Sequence, residues 1–236
     1  MITIGVLTPH AAPGPEVELP AIAPGSLVTR VARIAESDPP TTAPGLRALT
    51  TPTVLDRAAD ALLLNDSIDA IAYASTTSAY AIGFEAETAM VSRLASRLAL
   101  PVVSTCESAV LALRDLGVDR IALIGAPWFE LELNGLGAAY FRSQEFDVLS
   151  SRSAALSRDP AQIEPAAVLD WAIRHVPDNA EAIFIGGNGF RAAAAIGALE
   201  SAIGRPVLES NQVLLWRILS QTGATLPIRG YGRLFE

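Results

Sequence analysis

The stretch AIFIGGNGFRAAA, residues 182–194, sets Gly187, Gly189 and Ala192 in a G-x-G-x-x-A pattern, and Glu209 ends the next apolar run. On that spacing the turn could lay backbone amides against a dinucleotide's pyrophosphate, with the acid on a ribose. The same geometry serves any small anion, because amide groups at a helix start point at it. A second run, Ser75-Thr76-Thr77 within ASTTSAYAIG, offers hydroxyls after another apolar strand. Proton transfer at a carbon beside a carboxylate needs an acid or base within about 3 Å of that carbon. It also needs donors aimed at the negative charge that develops. Thr76, Thr77 and the amides around Asn188 meet the second need. For the first, His10 titrates near neutral pH. Cys106 is the sole cysteine, and it reads equally as a small buried hydrophobe. Glu107 suits the first turn of a helix, where the dipole favours an acid. Ser75 is a poor acid without an adjacent base. Arg158 and Arg191 could each grip a carboxylate with two nitrogens. Asn188, between two glycines, is the leading polar contact, although Asn also suits a left-handed backbone there. Tyr80 either reaches the site or packs on the following helix.

Composition narrows the chemistry. Half of the 236 residues are hydrophobic, and the formal net charge is −8. An acidic surface repels phosphate backbones, so no nucleic acid partner is expected. All 17 basic residues are arginine. Without lysine there is no Schiff base for pyridoxal or aldolase chemistry and no Walker A loop. One cysteine forms no internal disulfide, and His10 and His175 lack metal-site spacing. Chemistry with no cofactor, or pure binding, is what remains. The start, MITIGVLTPH, reads as a strand rather than a signal peptide, and no apolar run reaches the roughly 20 residues of a membrane helix. The expectation is a cytoplasmic protein with no membrane partner; apolar helices such as VLLWRIL leave room for a homo-oligomer.

Short apolar runs alternate with amphipathic segments, which predicts an α/β protein with parallel strands. Strands are expected at Thr3–Leu7, Ala70–Ala74, Val102–Ser104, Arg120–Ile124, Ala182–Ile185 and Val207–Leu208. Helices are expected at Leu55–Asn65, Glu85–Leu98, Ser108–Leu116, Phe129–Arg142, Pro165–His175, Phe190–Ile203 and Asn211–Gln221. The two halves echo each other. DAIAYASTTSAYAIG (69–83) lies over EAIFIGGNGFRAAAA (181–195), PVVSTCESAVLALRDLG (101–117) over PVLESNQVLLWRILSQTG (206–223), and IGVLTPH (4–10) over ALIGAPW (122–128). The echo predicts two similar Rossmann-like lobes with parallel sheets and a ligand site between them. Residues 1–117 would form the first lobe, 118–208 the second, and 209–236 a helix and tail returning to the first. The Pro-, Gly- and Ala-rich stretch 11–52 has no counterpart and reads as a long active-site loop. Ligands bind beyond the carboxyl ends of parallel strands. The echo pairs Ser75-Thr76-Thr77 with Gly187-Asn188-Gly189, Pro9-His10 with Pro127-Trp128, and Thr105-Cys106 with Ser210-Asn211. Two such turns face to face would hold a small dicarboxylate, whereas NAD would leave half of a symmetric site unexplained.

The turns ASTTSAYAIG and FIGGNGF, APW after a strand, SNQVLLW and the terminal GYGRLFE resemble the aspartate/glutamate racemase superfamily, in its arylmalonate decarboxylase and maleate cis-trans isomerase branch. The resemblance implies two α/β lobes about a pseudo-twofold axis and no cofactor. It implies a cysteine from each lobe in the isomerases and racemases, and one from the second lobe in the decarboxylases. Here the matching positions are Ser75 and Gly187. Thr76 and Thr77 keep the hydroxyl cradle. Trp128 stands where a tyrosine is common, and LSRDP (156–160) is polar where the decarboxylases have an apolar wall. The implied function is a cofactor-independent lyase or isomerase acting on a small carboxylic or dicarboxylic acid through an enediolate-type intermediate. Its expected proton handlers are His10, Ser75 or Cys106. Its contacts would be Pro9, Thr76, Thr77, Trp128, Arg158, Gly187, Asn188, Gly189 and Asn211. The rivals are a small-acid binding protein on the same scaffold and an NAD-binding oxidoreductase.

Overall fold

The computed structural model describes residues 1–9, 13–34, 41–64 and 67–236. The strands are β1 (Ile2–Thr8), β2 (Leu27–Arg33), β3 (Ala70–Tyr73), β4 (Val102–Ser104), β5 (Arg120–Gly125), β6 (Asp147–Ser153), β7 (Ala182–Gly186) and β8 (Val207–Glu209). The helices are α1 (Pro15–Ile22), α2 (Ala43–Ala48), α3 (Pro52–Leu63), α4 (Thr76–Ile82), α5 (Phe84–Leu98), α6 (Thr105–Asp115), α7 (Leu131–Arg142), α8 (Pro165–His175), α9 (Ile196–Ile203) and α10 (Ser210–Thr222). The strands form two four-stranded sheets, ordered β2-β1-β3-β4 and β6-β5-β7-β8. All pairs are parallel. Adding four to each strand of the first order gives the second, so the echo in the sequence is an echo in topology. The fold is α/β, with two similar lobes.

Strands β3 and β7 are buried along their whole length, which is why they read as unbroken apolar runs. The two strands that sequence periodicity misses, β2 and β6, occupy equivalent sheet edges. Their burial patterns are broken and their sequences, LVTRVAR and DVLSSRS, carry polar side chains into solvent. Edge strands bury one side only, and charge on them discourages pairing with other chains. The stretch expected to be a structureless loop, 11–52, instead contains α1, β2 and α2. Its Pro residues start helices, with Pro15 and Pro44 in the first turns of α1 and α2. Proline suits that place because the first amides of a helix have no partner anyway.

One apolar core runs through both lobes. It joins Ile4, Val6 and Val103 of the first sheet to Ile121, Phe184 and Leu208 of the second, by way of Val213 and Leu214 on α10. A smaller cluster lies on the other face of the first sheet, where Leu55 and Leu62 of α3 meet Leu94 of α5. Helix α10 packs on α6 and α1. The GYGRLFE tail ties these elements together: the Gln212 amide donates to the Tyr231 carbonyl at 2.6 Å, and the Tyr231 hydroxyl donates to the Ala21 carbonyl at 3.1 Å.

Candidate active site between the lobes

The repeat-related turns after β3 and β7 meet directly. Ser75 ends the first turn and caps α4, its Oγ accepting from the Ser78 amide at 3.3 Å and donating to the Ser78 hydroxyl at 2.8 Å. Thr76 then sends its backbone N–H, at 3.2 Å, and its hydroxyl, at 3.1 Å, to the Asn188 Oδ1 of the second turn. The Thr105 hydroxyl, at the start of α6, reaches the same oxygen at 3.1 Å. In return the Gly187 N–H donates to Thr76 Oγ1 at 3.1 Å and to Ser210 Oγ at 2.8 Å. Three donors thus converge on one oxygen at the junction of the lobes. Thr77, the next residue of α4, is also buried.

Gly187 has φ +117°, and a Cβ there would lie 2.8 Å from the Ala126 Cβ. Only glycine fits that backbone and that space. Gly14, just before α1, is required by close approach, since a Cβ would meet the Asn188 carbonyl oxygen at 2.6 Å. The segment leading into α1 therefore lies directly on the second turn, and it brings in Glu18. The Glu18 carboxylate accepts from the Asn211 side-chain amide at 2.6 Å and from the Ala193 N–H at 2.8 Å. Asn211 Oδ1 in turn accepts from Asn188 Nδ2 at 3.0 Å. Burial pushes the Glu18 carboxyl up to about 7, against the pull of the Asn211 amide, the Ala193 N–H and the Arg191 guanidinium. Beside it, Glu209 caps α10 through its second oxygen, with the reciprocal Gln212 contact completing a capping box. Its other oxygen has no partner, and burial together with the Glu18 charge holds this carboxyl well above its usual range.

On the far side of α6, the Glu87 carboxylate accepts from the Cys106 N–H at 3.3 Å and from the Tyr140 hydroxyl. Burial raises it to about 7. Among the described residues, no group of three His, Cys, Asp or Glu is placed to hold a metal ion, and no helix is long and apolar enough to cross a membrane.

The structure gathers Ser75, Thr76, Thr77, Cys106, Gly187, Asn188, Gly189 and Asn211 into this buried junction. His10 lies outside the described residues, while Pro9 is buried at the end of β1. Cys106 points its thiol at the Thr76 carbonyl, 3.7 Å away, and burial beside Glu87 raises its pKa well above the ordinary thiol value. Trp128 is half-buried and packs edge-on against Phe190. Arg158 is remote from the turns in its bonding: its side chain is 67 % exposed and its partner is Glu130 at 3.5 Å. Glu107 accepts from Thr88, and Tyr80 packs on Tyr140 and Phe141. Arg191, not Asn188, takes the left-handed backbone, with φ +57°. The helix that NAD would need at the glycine turn begins only at Ile196. A cavity of about 610 Å³ lies between β2 and α3 and is lined by none of these turn residues. Glu18 was not among the sequence candidates, because nothing local distinguishes it from an exposed helical acid. Glu209 carried a signal, Glu-x-x-Gln directly before an apolar helix, which is a capping pattern with an acid at its first position.

A family model for arylmalonate decarboxylase matches residues 48–235. The chain belongs to the arylmalonate decarboxylase family. The arylmalonate decarboxylase of Bordetella bronchiseptica is 28% identical over 143 residues, 58% of each chain, so this chain spans about 58% of the length of the curated relative it matches. A glycine-to-cysteine variant of arylmalonate decarboxylase in a sulfate-associated form superposes with TM-score 0.81 at 22% identity, covering 99% of both chains. A maleate isomerase from Pseudomonas putida S16 superposes at 0.83 with 19% identity, over 99% of this chain and 98% of that one. A Nocardia farcinica maleate cis-trans isomerase variant holding a covalent succinylcysteine gives 0.82 at 22% identity, with the same coverage. These likenesses concern the fold.

Proposed function

We propose that this protein acts on a small mono- or dicarboxylic acid at the junction of its lobes, as a cofactor-independent lyase or isomerase. The observation that carries the reading is the convergence of the Thr76 N–H, the Thr76 hydroxyl and the Thr105 hydroxyl on one oxygen. Loss of CO2 or of a proton from the carbon beside a carboxylate leaves charge on the carboxylate oxygens, and buried donors fixed in advance stabilise that charge. Family membership and the names of its relatives, decarboxylases and maleate isomerases, support the same class.

Proton transfer in this protein falls to a group other than the family's cysteines. Ser75 spends its hydroxyl on capping, and Gly187 has no side chain. Glu18 is buried against the second turn with a pKa of about 7, a value matched to acid–base work at neutral pH. His10, two residues beyond β1 in sequence, is the second candidate. The same departures favour one other reading, a binding protein that holds the acid without turning it over.

Proton NMR in D2O with malonate, phenylmalonate, maleate, aspartate and glutamate separates the two. Deuterium entering an α-carbon, release of CO2 or a changed double bond, lost in Glu18→Gln and kept in His10→Asn, supports the enzyme with Glu18 as proton carrier. Loss in His10→Asn alone moves the role to His10. Line broadening of one acid with no chemistry over hours supports the binding protein.

A further inference from the structure

The junction already contains an occupant, and it belongs to the protein. Asn188 is fully buried, and its Oδ1 takes all three donors of the first-lobe side at 3.1–3.2 Å. The orientation of this amide is fixed by its surroundings. The Thr76 N–H can only donate, so it demands Oδ1 rather than Nδ2. Asn188 Nδ2 donates to Asn211 Oδ1, and Asn211 Nδ2 donates to the Glu18 carboxylate. One amide oxygen has two lone pairs for three donors, and each contact is longer than the usual ~2.9 Å. A neutral carbonyl holds such a cluster loosely; an ionised carboxylate oxygen makes shorter and stronger bonds to the same groups. A carboxamide and a carboxylate have the same planar shape and the same number of heavy atoms.

We infer that the Asn188 carboxamide is a built-in stand-in for the ligand's carboxylate, and that it is the residue deciding which acids gain the cradle and how tightly. The inference rests on the small-acid reading given above. In the state described, a carboxylate enters only when this side chain leaves, and the exchange sets the apparent affinity. A site whose competent form is a minor one binds more weakly by that fraction. Repeat-related positions make the device possible: Thr76 in the first turn donates and Asn188, its counterpart in the second, accepts.

The test is to remove the stand-in and offer its ionised replacement. Asn188→Gly leaves a space the size of one carboxylate, to be probed with formate and acetate at matched ionic strength. Acetamide serves as the neutral control of the same shape. Binding by calorimetry and the rise in Tm are read for wild type and variant. The expected result is that acetate binds the variant at least roughly tenfold tighter than wild type and raises its Tm, while acetamide does neither. Equal effects of acetate and acetamide overturn the inference, since the space is then only amide-shaped. Carboxylates binding wild type as tightly as the variant overturn it too, yet leave the small-acid reading intact. Binding to neither protein removes both. Asn211→Ala, which takes away the partner of Asn188 Nδ2 and keeps every cradle donor, tests the same point should the glycine variant not fold. It is expected to tighten acetate binding by a smaller factor, and no change in it counts against the inference.

Discussion

The two turns that meet between the lobes follow equivalent strands, β3 and β7, yet they are built for opposite roles. The first runs straight into α4, with Ser75 as its cap and Thr76 as a donor. The second makes no helix at once; its backbone loops through Gly187 at positive φ and lifts the Asn188 oxygen into the first turn. The difference shows how a duplicated scaffold closes on itself: one copy supplies hydrogens and the other supplies the oxygen that receives them. Each side is also backed by a buried carboxyl. Glu18 supports the second turn through Asn211, and Glu87 receives the Cys106 amide behind the first.

Breaking the second turn should have the largest effect. Gly187→Ala meets the Ala126 Cβ at 2.8 Å on a backbone that disfavours side chains, so a loss of about 3 kcal/mol or more is expected in chemical denaturation. A wild-type midpoint would remove the steric account of this turn.

The carboxyl behind the first turn is tested by pH. Burial raises Glu87 from the ordinary 4.5 to about 7. The folded protein then binds more protons than the unfolded chain between those values, so the contribution is full below pH 4.5 and is lost as pH rises through 7. Glu87→Gln can still accept from the Cys106 N–H and can meet the Tyr140 hydroxyl with its amide. It should flatten the loss of stability between pH 5 and 8 by on the order of 3 kcal/mol. An unchanged pH profile in urea titrations would place the slope elsewhere, with Glu18 and Glu209 next in line.

Sharpening the contrast at the first turn needs a smaller change. Ser75→Ala removes the side-chain cap of α4 and should cost about 1 kcal/mol, read by thermal unfolding. If it also abolished turnover while Thr105→Ser did not, Ser75 would be more than a cap. The smallest effect is expected outside both turns. Arg158→Ala, at an exposed loop site paired with Glu130, should change stability by less than about 0.5 kcal/mol and leave acid affinity unaltered.

The contrast between the turns also marks what a sequence can reveal. The duplication was visible because buried strands such as AIAY and AIFIG keep their apolar character whatever surrounds them. Edge strands β2 and β6 gave no such signal, since each buries little and shows polar side chains. The hydroxyls at 76 and 77 and the amide at 188 could be picked out as candidates from position after a strand, and the structure buries all three. Their partners could not. That Asn188 would turn inward to Thr105 and Asn211 depends on contacts across 83 and 23 residues of chain, and periodicity carries no information at that range. Glu18 belongs to the same class, since its bond to Asn211 spans 193 residues.

Gly187 also bears on how such a protein can change over time. A thiol cannot be gained at this position by one substitution, because the methylene that would carry it collides with Ala126. A glycine would first have to appear at 126, a step that brings no chemistry with it, and the backbone at 187 would have to relax before a cysteine became tolerable. A lineage holding this turn is thus separated from a second-lobe nucleophile by ordered, individually unrewarded steps. Any catalysis it refines is more accessible through the carboxyls and amides already in place.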